Sequence, residues 1–369
     1  MARTLLITGA TGAIGLPLLA ELLRRQEFDA IIALTRRNDT TLDPALRMEE
    51  PRVDLSRLQC EVAELGTGAA GPALGGLPRD IECIVHAAAC TRFRAPTAEL
   101  QQSNRDGTRQ LLAWAESLPH APRVVHLSTT CVAGRRCGRI SEGPLTGDCG
   151  FVNDYERTKW EAEQLMAASA LRPEIVRLAT VIGDSQDGRL RRPGAFHTTL
   201  RWLHAGLLPM VPGDEATRLD LLPTDLVTEF MVRLLAQPAR LGAIYHVSRG
   251  ARGVPLGALL DLAVEKFSAR DHAWRTAQIL PPVLASQAAF ESFRAAVVKT
   301  RDFLFNQVLE SVDSFLPELS YPKVYATTHA EAAWGGPLPL PAWHEWLGHV
   351  IDYALASDFA RLEQTRSRP

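Results

Sequence analysis

Short apolar runs recur along the first 250 residues, each followed by a stretch with helical spacing. Leu5-Leu6-Ile7 is the first run and Ala30-Ile31-Ile32-Ala33-Leu34 the second. Ile81-Glu82-Cys83-Ile84-Val85, Arg123-Val124-Val125-His126-Leu127 and Glu174-Ile175-Val176-Arg177-Leu178 continue the series. Runs apolar on both faces suit strands that are covered on both sides. Between them, residues 14–25 gather Leu18, Leu19, Leu22 and Leu23 on one side of a helix, and Leu111, Leu112 and Trp114 mark another. Strands alternating with helices predict an α/β fold with a doubly wound parallel sheet. Such sheets bind ligands at the carboxyl ends of their strands.

The pattern changes twice. Residues 66–79 are rich in Gly, Pro and Ala and read as a surface loop. From about residue 250 longer helical stretches take over, at 256–267 and 284–298, and Trp274, Trp334, Trp343 and Trp346 cluster late. The expected organisation is a dinucleotide-binding Rossmann domain over residues 1–250, with a substrate-loop insertion at about 186–222. A smaller, mostly helical region over 251–369 would bind substrate or form a lid. Late tryptophans are most often core or interface residues; alternatively, Phe303, Phe305, Phe315 and Trp334 could line an acyl tunnel.

Composition adds exclusions. The net charge of -2 over 369 residues implies no nucleic-acid or membrane field. No segment approaches the roughly 20 apolar residues that span a bilayer, and the N-terminal run is broken at once by Thr8-Gly9. A cytoplasmic, soluble protein is expected. The six cysteines form no CxxC pair and have no matching His cluster, so they read as reduced residues with no metal site. Oligomeric state is open.

The chemistry lies in two motifs. Thr8-Gly9-Ala10-Thr11-Gly12-Ala13-Ile14-Gly15 follows the first strand and opens the first helix. Gly9 permits a tight turn, Gly12 lets backbone approach a pyrophosphate, and Gly15 lets the helix pack on the strand. A helix N-terminus offers N–H groups and a positive dipole end to phosphates. The second strand ends in Thr35-Arg36-Arg37, where an NAD site would carry a carboxylate. A guanidinium clamps a 2′-phosphate, so NADPH is expected, with Arg36 the first choice and Arg37 the second. The other reading is two solvated surface arginines.

Tyr155 and Lys159 stand one helical turn apart, where an ammonium would favour the phenolate and let Tyr155 exchange a proton. Strand 123–127 runs into Ser128-Thr129-Thr130, where a hydroxyl can hold a substrate oxygen. Arg177 reads as a buried arginine paired with a carboxylate. Asp184 and Ser185 either cap a turn or belong to a substrate loop. His86 reads as a packed core histidine and Asn104 as a bridge from helix to backbone near the site.

Together these residues resemble an extended short-chain dehydrogenase/reductase over about residues 3–250. Val85-His86-Ala87-Ala88-Ala89, Asn104-Arg105-Asp106-Gly107-Thr108, Ser128-Thr129 and Tyr155-x-x-x-Lys159 carry the resemblance beside the glycine motif. It implies Tyr155 as acid/base and Lys159 as a further ligand of the nicotinamide ribose. It implies Thr129 as the assisting hydroxyl, with Ser128 the neighbouring candidate. Ala87, Ala88 and Ala89 would line the adenosine ribose and pyrophosphate, and Glu64-Leu65 would stand beside the adenine. Thr11, Ala13, Ile14 and Asn104 complete the implied cofactor set. Within the family the chain is most similar to the thioester-reductase and fatty-acyl-CoA-reductase branch, through 77–89, Thr158-Lys159-Trp160-Glu161-Ala162-Glu163, Gly183-Asp184-Ser185-Gln186-Asp187-Gly188 and Leu222-Pro223-Thr224-Asp225. Leu178-Ala179 departs from the usual Pro-Gly.

The resemblance implies NADPH-dependent reduction of an acyl thioester, to aldehyde or alcohol, or of a ketone on an acyl chain. The substrate would be a small molecule or an acyl group on a carrier protein or CoA. No adenylation or carrier domain is recognised here, so a carrier-bound group would come from another protein. Two other readings stand beside this one. One is an NAD(P)-dependent dehydrogenase or epimerase of a sugar, sterol or other alcohol. The other is a non-catalytic dinucleotide sensor.

Overall fold

The computed structural model describes residues 3–36, 42–190, 192–271, 274, 276, 279–300, 302–312, 319–357 and 359. Five strands of the first half are β1 (Thr4–Thr8), β2 (Ala30–Thr35), β3 (Leu58–Val62), β4 (Cys83–His86) and β5 (Arg123–Thr129). With Glu174–Leu178 and Ile244–Val247 they form one seven-stranded sheet, parallel throughout, in which Ile244–Val247 and β3 are the edges. β1 lies between β2 and β4. The chain therefore reverses its direction of travel across the sheet at β1 and β4, which is where such folds hold a ligand.

Helix α1 (Gly15–Arg25) buries Leu16, Leu18, Leu19, Leu22 and Leu23 against one face of the sheet, beside α2 (Leu42–Glu49). The opposite face is covered by α3 (Ala70–Gly75) and by a continuous helical run. That run is α4 (Thr97–Leu100), a π-helical stretch at Gln101–Asp106 and α5 (Gly107–Glu116). Helix α6 (Asp154–Ala168) begins at Asn153, whose side chain caps Glu156 N–H at 2.9 Å. A π-helical turn commonly marks a functional position, and this one carries Asn104.

Two sequence expectations are corrected, and two strands went unpredicted. Residues 66–79 are not all loop: Ala70 and Leu74 are buried on α3, where burial in the core overrides the poor helix propensity of Gly71, Pro72 and Gly75. The stretch expected as helix from 284 begins as a strand, Val283–Ala285, paired with Met210–Pro212, and the helix starts at Gln287. Strands β3 and Ile244–Val247 carried no expectation. β3 is an edge strand, largely exposed, so it lacks the double-sided apolar pattern of its neighbours.

A second core lies beside the first. Helices Leu256–Arg270 and Trp343–Ala356 enclose Leu259, Phe267, Trp346, Leu347 and Ile351, together with Trp274. Phe196, Leu200 and Leu203 from the helix Ala195–His204 and Leu221 join the same core, so the insertion packs with the C-terminal helices. No described helix is long and apolar enough to cross a membrane.

Candidate active site

The glycine turn is sterically fixed. Gly9 has φ +71°, and a Cβ there would lie 2.6 Å from the Ala87 carbonyl carbon. A Cβ at Gly15 would lie 2.1 Å from Gly9 O, and one at Gly12 would lie 3.0 Å from the same oxygen. Three glycines therefore bring β1, β4 and the start of α1 into contact. Thr11, Gly12, Ala13 and Ile14 stay partly accessible at the head of α1. No side chain caps that helix start and no carboxylate stands in its first turn. Open N–H groups on the positive end of a helix suit a pyrophosphate.

Across the turn, Ala87, Ala88 and Ala89 leave β4 partly exposed, with Ala88 N–H bonded to Thr8 Oγ1 at 3.1 Å. Arg36 stands exposed just beyond β2, while Thr35 is buried and bonds Glu61 O at 3.3 Å. Arg37 lies outside the described residues. Glu64 is exposed and Leu65 half-buried against the start of α5, 3.2 Å from a Cβ built on Gly107. The residues read as a dinucleotide cradle thus share the edge of the sheet formed by the carboxyl ends of its strands.

β5 delivers the hydroxyls and α6 the Tyr/Lys pair to the same edge. Their environment separates Ser128 from Thr129. Ser128 donates to Glu163 Oε1 at 2.5 Å, and Glu163 pairs with Arg177 at 2.7 Å, all buried. This leaves Thr129 as the hydroxyl beside Tyr155, to which it is hydrogen-bonded. Phe93 meets the Tyr155 ring edge-on with centroids 4.9 Å apart. Asn104 bridges Cys90 through its backbone N–H at 2.7 Å and carbonyl at 3.1 Å, and donates to Thr158 at 3.1 Å. It fastens α6 to the segment after β4 rather than standing open.

The ammonium does not lower the phenol as expected. Burial pushes the Tyr155 phenol up, the thiol of Cys131 adds to the rise, and the Thr129 bond opposes it. Lys159 turns into the sheet, donating to Leu127 O at 2.8 Å, with His126 Nε2 at 3.3 Å. Burial lowers Lys159 to about 8, with Glu163 opposing. Its charge is thus sensitive to pH near neutrality.

Arg177 is a fully buried partner of Glu163. Ser185 bonds Asp225 through N–H at 2.8 Å and Oγ at 2.6 Å, and Asp184 caps Gln186 N–H at 2.8 Å. The Gly183-Asp184-Ser185 and Pro223-Thr224-Asp225 segments therefore clasp one another. His349 Nδ1 lies 3.0 Å from Ser185 O, which ties that clasp to the last helix. Among the described residues, Phe303 and Trp334 do not join in an aromatic tunnel: Phe303 is 82% exposed, and Trp334 packs against the first core under Arg233. Phe315 lies outside the described residues. A cavity of about 450 Å³ opens beside α1 between Ala13, Glu49, Asp184 and Thr224, and Tyr155 does not line it. Sequence reading gave no role to Thr8, Phe93, Thr108 or His126, although Thr8 and Thr108 lie within the motifs it quoted and His126 within a predicted strand.

The Male sterility protein family of NAD-binding domains matches residues 7–231, well over half of the chain. The chain belongs to this family. It is an oxidoreductase of the extended short-chain dehydrogenase/reductase type, with an NAD(P)-binding domain. Glycine betaine reductase ATRR of Emericella nidulans is 27% identical over 279 residues, 67% of this chain and 21% of that protein. The chain thus spans about a fifth of that relative's length. Among solved structures, the terminal R domain of the myxalamid PKS-NRPS pathway superposes with a TM-score of 0.76 at 23% identity, over 97% of this chain and 92% of that one. A thiolation-reductase di-domain from an archaeal non-ribosomal peptide synthetase gives 0.72 at 19%, over 97% and 76%. At such identities these two structures speak for the fold.

Proposed function

We propose that this chain is an NADPH-dependent reductase of acyl thioesters. The observation that carries the reading is the meeting of Thr129, Tyr155 and Lys159 at the strand edge that also holds the glycine turn. Gly9, Thr11, Gly12, Ala13, Ile14 and Gly15 would hold the pyrophosphate. Ala87, Ala88 and Ala89 would face the ribose side, Glu64 and Leu65 the adenine, and Arg36 the 2′-phosphate. When bound, the nicotinamide supplies the hydride.

The protein's own part is electrostatic. Thr129 and the Tyr155 hydroxyl donate to the carbonyl oxygen as negative charge gathers there. A buried phenol with a raised pKa keeps its proton until that charge develops, which suits a proton donor. Lys159 would hold the nicotinamide ribose from its seat on Leu127 O. The thioester is preferred over a ketone because the matching family is that of male sterility and thioester reductase domains. A carrier protein or CoA would then present the acyl group.

The test is turnover of an acyl thioester with NADPH by the wild type and by Tyr155→Phe. The expected result is a fall of about 10²–10⁴-fold in the variant with NADPH affinity nearly unchanged. Normal turnover in the variant would remove Tyr155 from the chemistry.

A further inference from the structure

Strand register sets Thr8, His86 and His126 side by side across β1, β4 and β5, and all three are buried. The hydrogen bonds assign the proton on His86. Thr108 gives its one hydroxyl proton to Asn104 O at 2.6 Å, so it accepts from His86 Nε2–H at 3.0 Å. Thr8 accepts from Ala88 N–H, so its own proton goes to His86 Nδ1 at 2.8 Å. His86 is thereby satisfied at both nitrogens, and it links the cofactor turn to the π-helical stretch.

His126 differs. Its ring lies against His86 with centroids 5.2 Å apart. Burial, then the charge of Lys159, lowers His86 to about 3, and the same causes together with His86 keep His126 well below its ordinary value. Both rings are neutral near pH 7. An ammonium has only donors, so His126 Nε2 accepts from Lys159 and the ring proton sits on Nδ1. That nitrogen is buried with no partner among the described residues. An unpaired buried N–H is destabilising. An apolar side chain would avoid it, so the imidazole is not explained by packing.

We propose that His126 is a positioning residue for Lys159. Leu127 O holds one ammonium proton and His126 Nε2 holds a second. One donor remains for the side of the site that faces Tyr155 and the cofactor ribose. His126 also stabilises the charged form of the lysine. The titratable groups facing Lys159 are Glu163 on its own helix, His126 from β5 and His86 from β4. The inference rests on the proposed role of Lys159 in reduction, and its test is independent of turnover.

The chain has only four lysines, Lys159, Lys266, Lys299 and Lys323. Carbon-13 lysine labelling of the whole protein therefore lets NMR follow Lys159 as pH is raised. In His126→Leu the Lys159 midpoint should fall by about one pH unit from the wild type. The high-pH loss of turnover should move down with it. His126→Gln places an amide oxygen near the position of Nε2 and should restore both. If His126→Leu does not fold, His126→Met, closer to histidine in volume, is read by the same criterion. An unchanged Lys159 midpoint in the apolar variant would overturn the inference. If the wild type reduces no carbonyl, the proposed function fails while the lysine titration still decides this point.

Discussion

Around the parallel sheet, the buried residues that matter most are polar: Thr8, His86, Asn104, Thr108, His126, Thr158, Lys159, Glu163 and Arg177. They form a belt of hydrogen bonds from the glycine turn to α6. In the helical core beside it the cluster is built from Leu, Ile, Val, Ala, Phe and Trp, while Leu280, Val283 and Phe303 stand exposed nearby. The sheet region fixes residue identity through donors and acceptors. The helical region fixes mainly volume. On the proposed function, the chemistry would fall to the belt and substrate shape to the helices.

Substitutions that keep volume but change chemistry should separate the two regions. Glu163→Gln is nearly isosteric, yet it leaves Arg177 as an uncompensated buried charge. A loss of about 3–5 kcal/mol is expected, read as a lower denaturant midpoint with an unchanged slope. A loss below about 1 kcal/mol would show that the belt tolerates neutral partners. At the cofactor edge, Arg36→Ala should weaken NADPH by about 10–100-fold while NADH is little affected. Steady-state kinetics with both coenzymes read this, and equal weakening of the two would move the 2′-phosphate contact elsewhere. Leu347→Met in the helical core, at a fully buried position, should cost less than about 1.5 kcal/mol. A larger loss in chemical denaturation would make that core as demanding as the belt.

The same contrast governs what could be read from the sequence. β1, β2, β4, β5 and Glu174–Leu178 are apolar on both faces, so their runs announced strands. β3 is exposed at the sheet edge and gave no such pattern. Thr8-Gly9 through Gly15 was legible because glycine alone fits contacts of 2.1–3.0 Å. Tyr155 and Lys159 were legible as a pair, but their electrostatics were not. Lys159 bends toward Leu127 O and His126, and burial outweighs charge at the phenol. The resemblance already pointed to Thr129; what the sequence hid is why Ser128 is occupied, by Glu163 from 35 residues away. The clasp of Ser185 on Asp225 and the exposure of Phe303 likewise depend on long-range packing that no local spacing encodes.

The central claim is reduction of a thioester with loss of the thiol. The most direct measurement follows NADPH oxidation and free-thiol release together, across acyl-CoA and 3-ketoacyl-CoA substrates of varied chain length. Thiol release in step with NADPH use on simple acyl thioesters is the predicted result. NADPH use on the 3-keto substrates alone, with the thioester left intact, would contradict it and make this protein a ketone reductase.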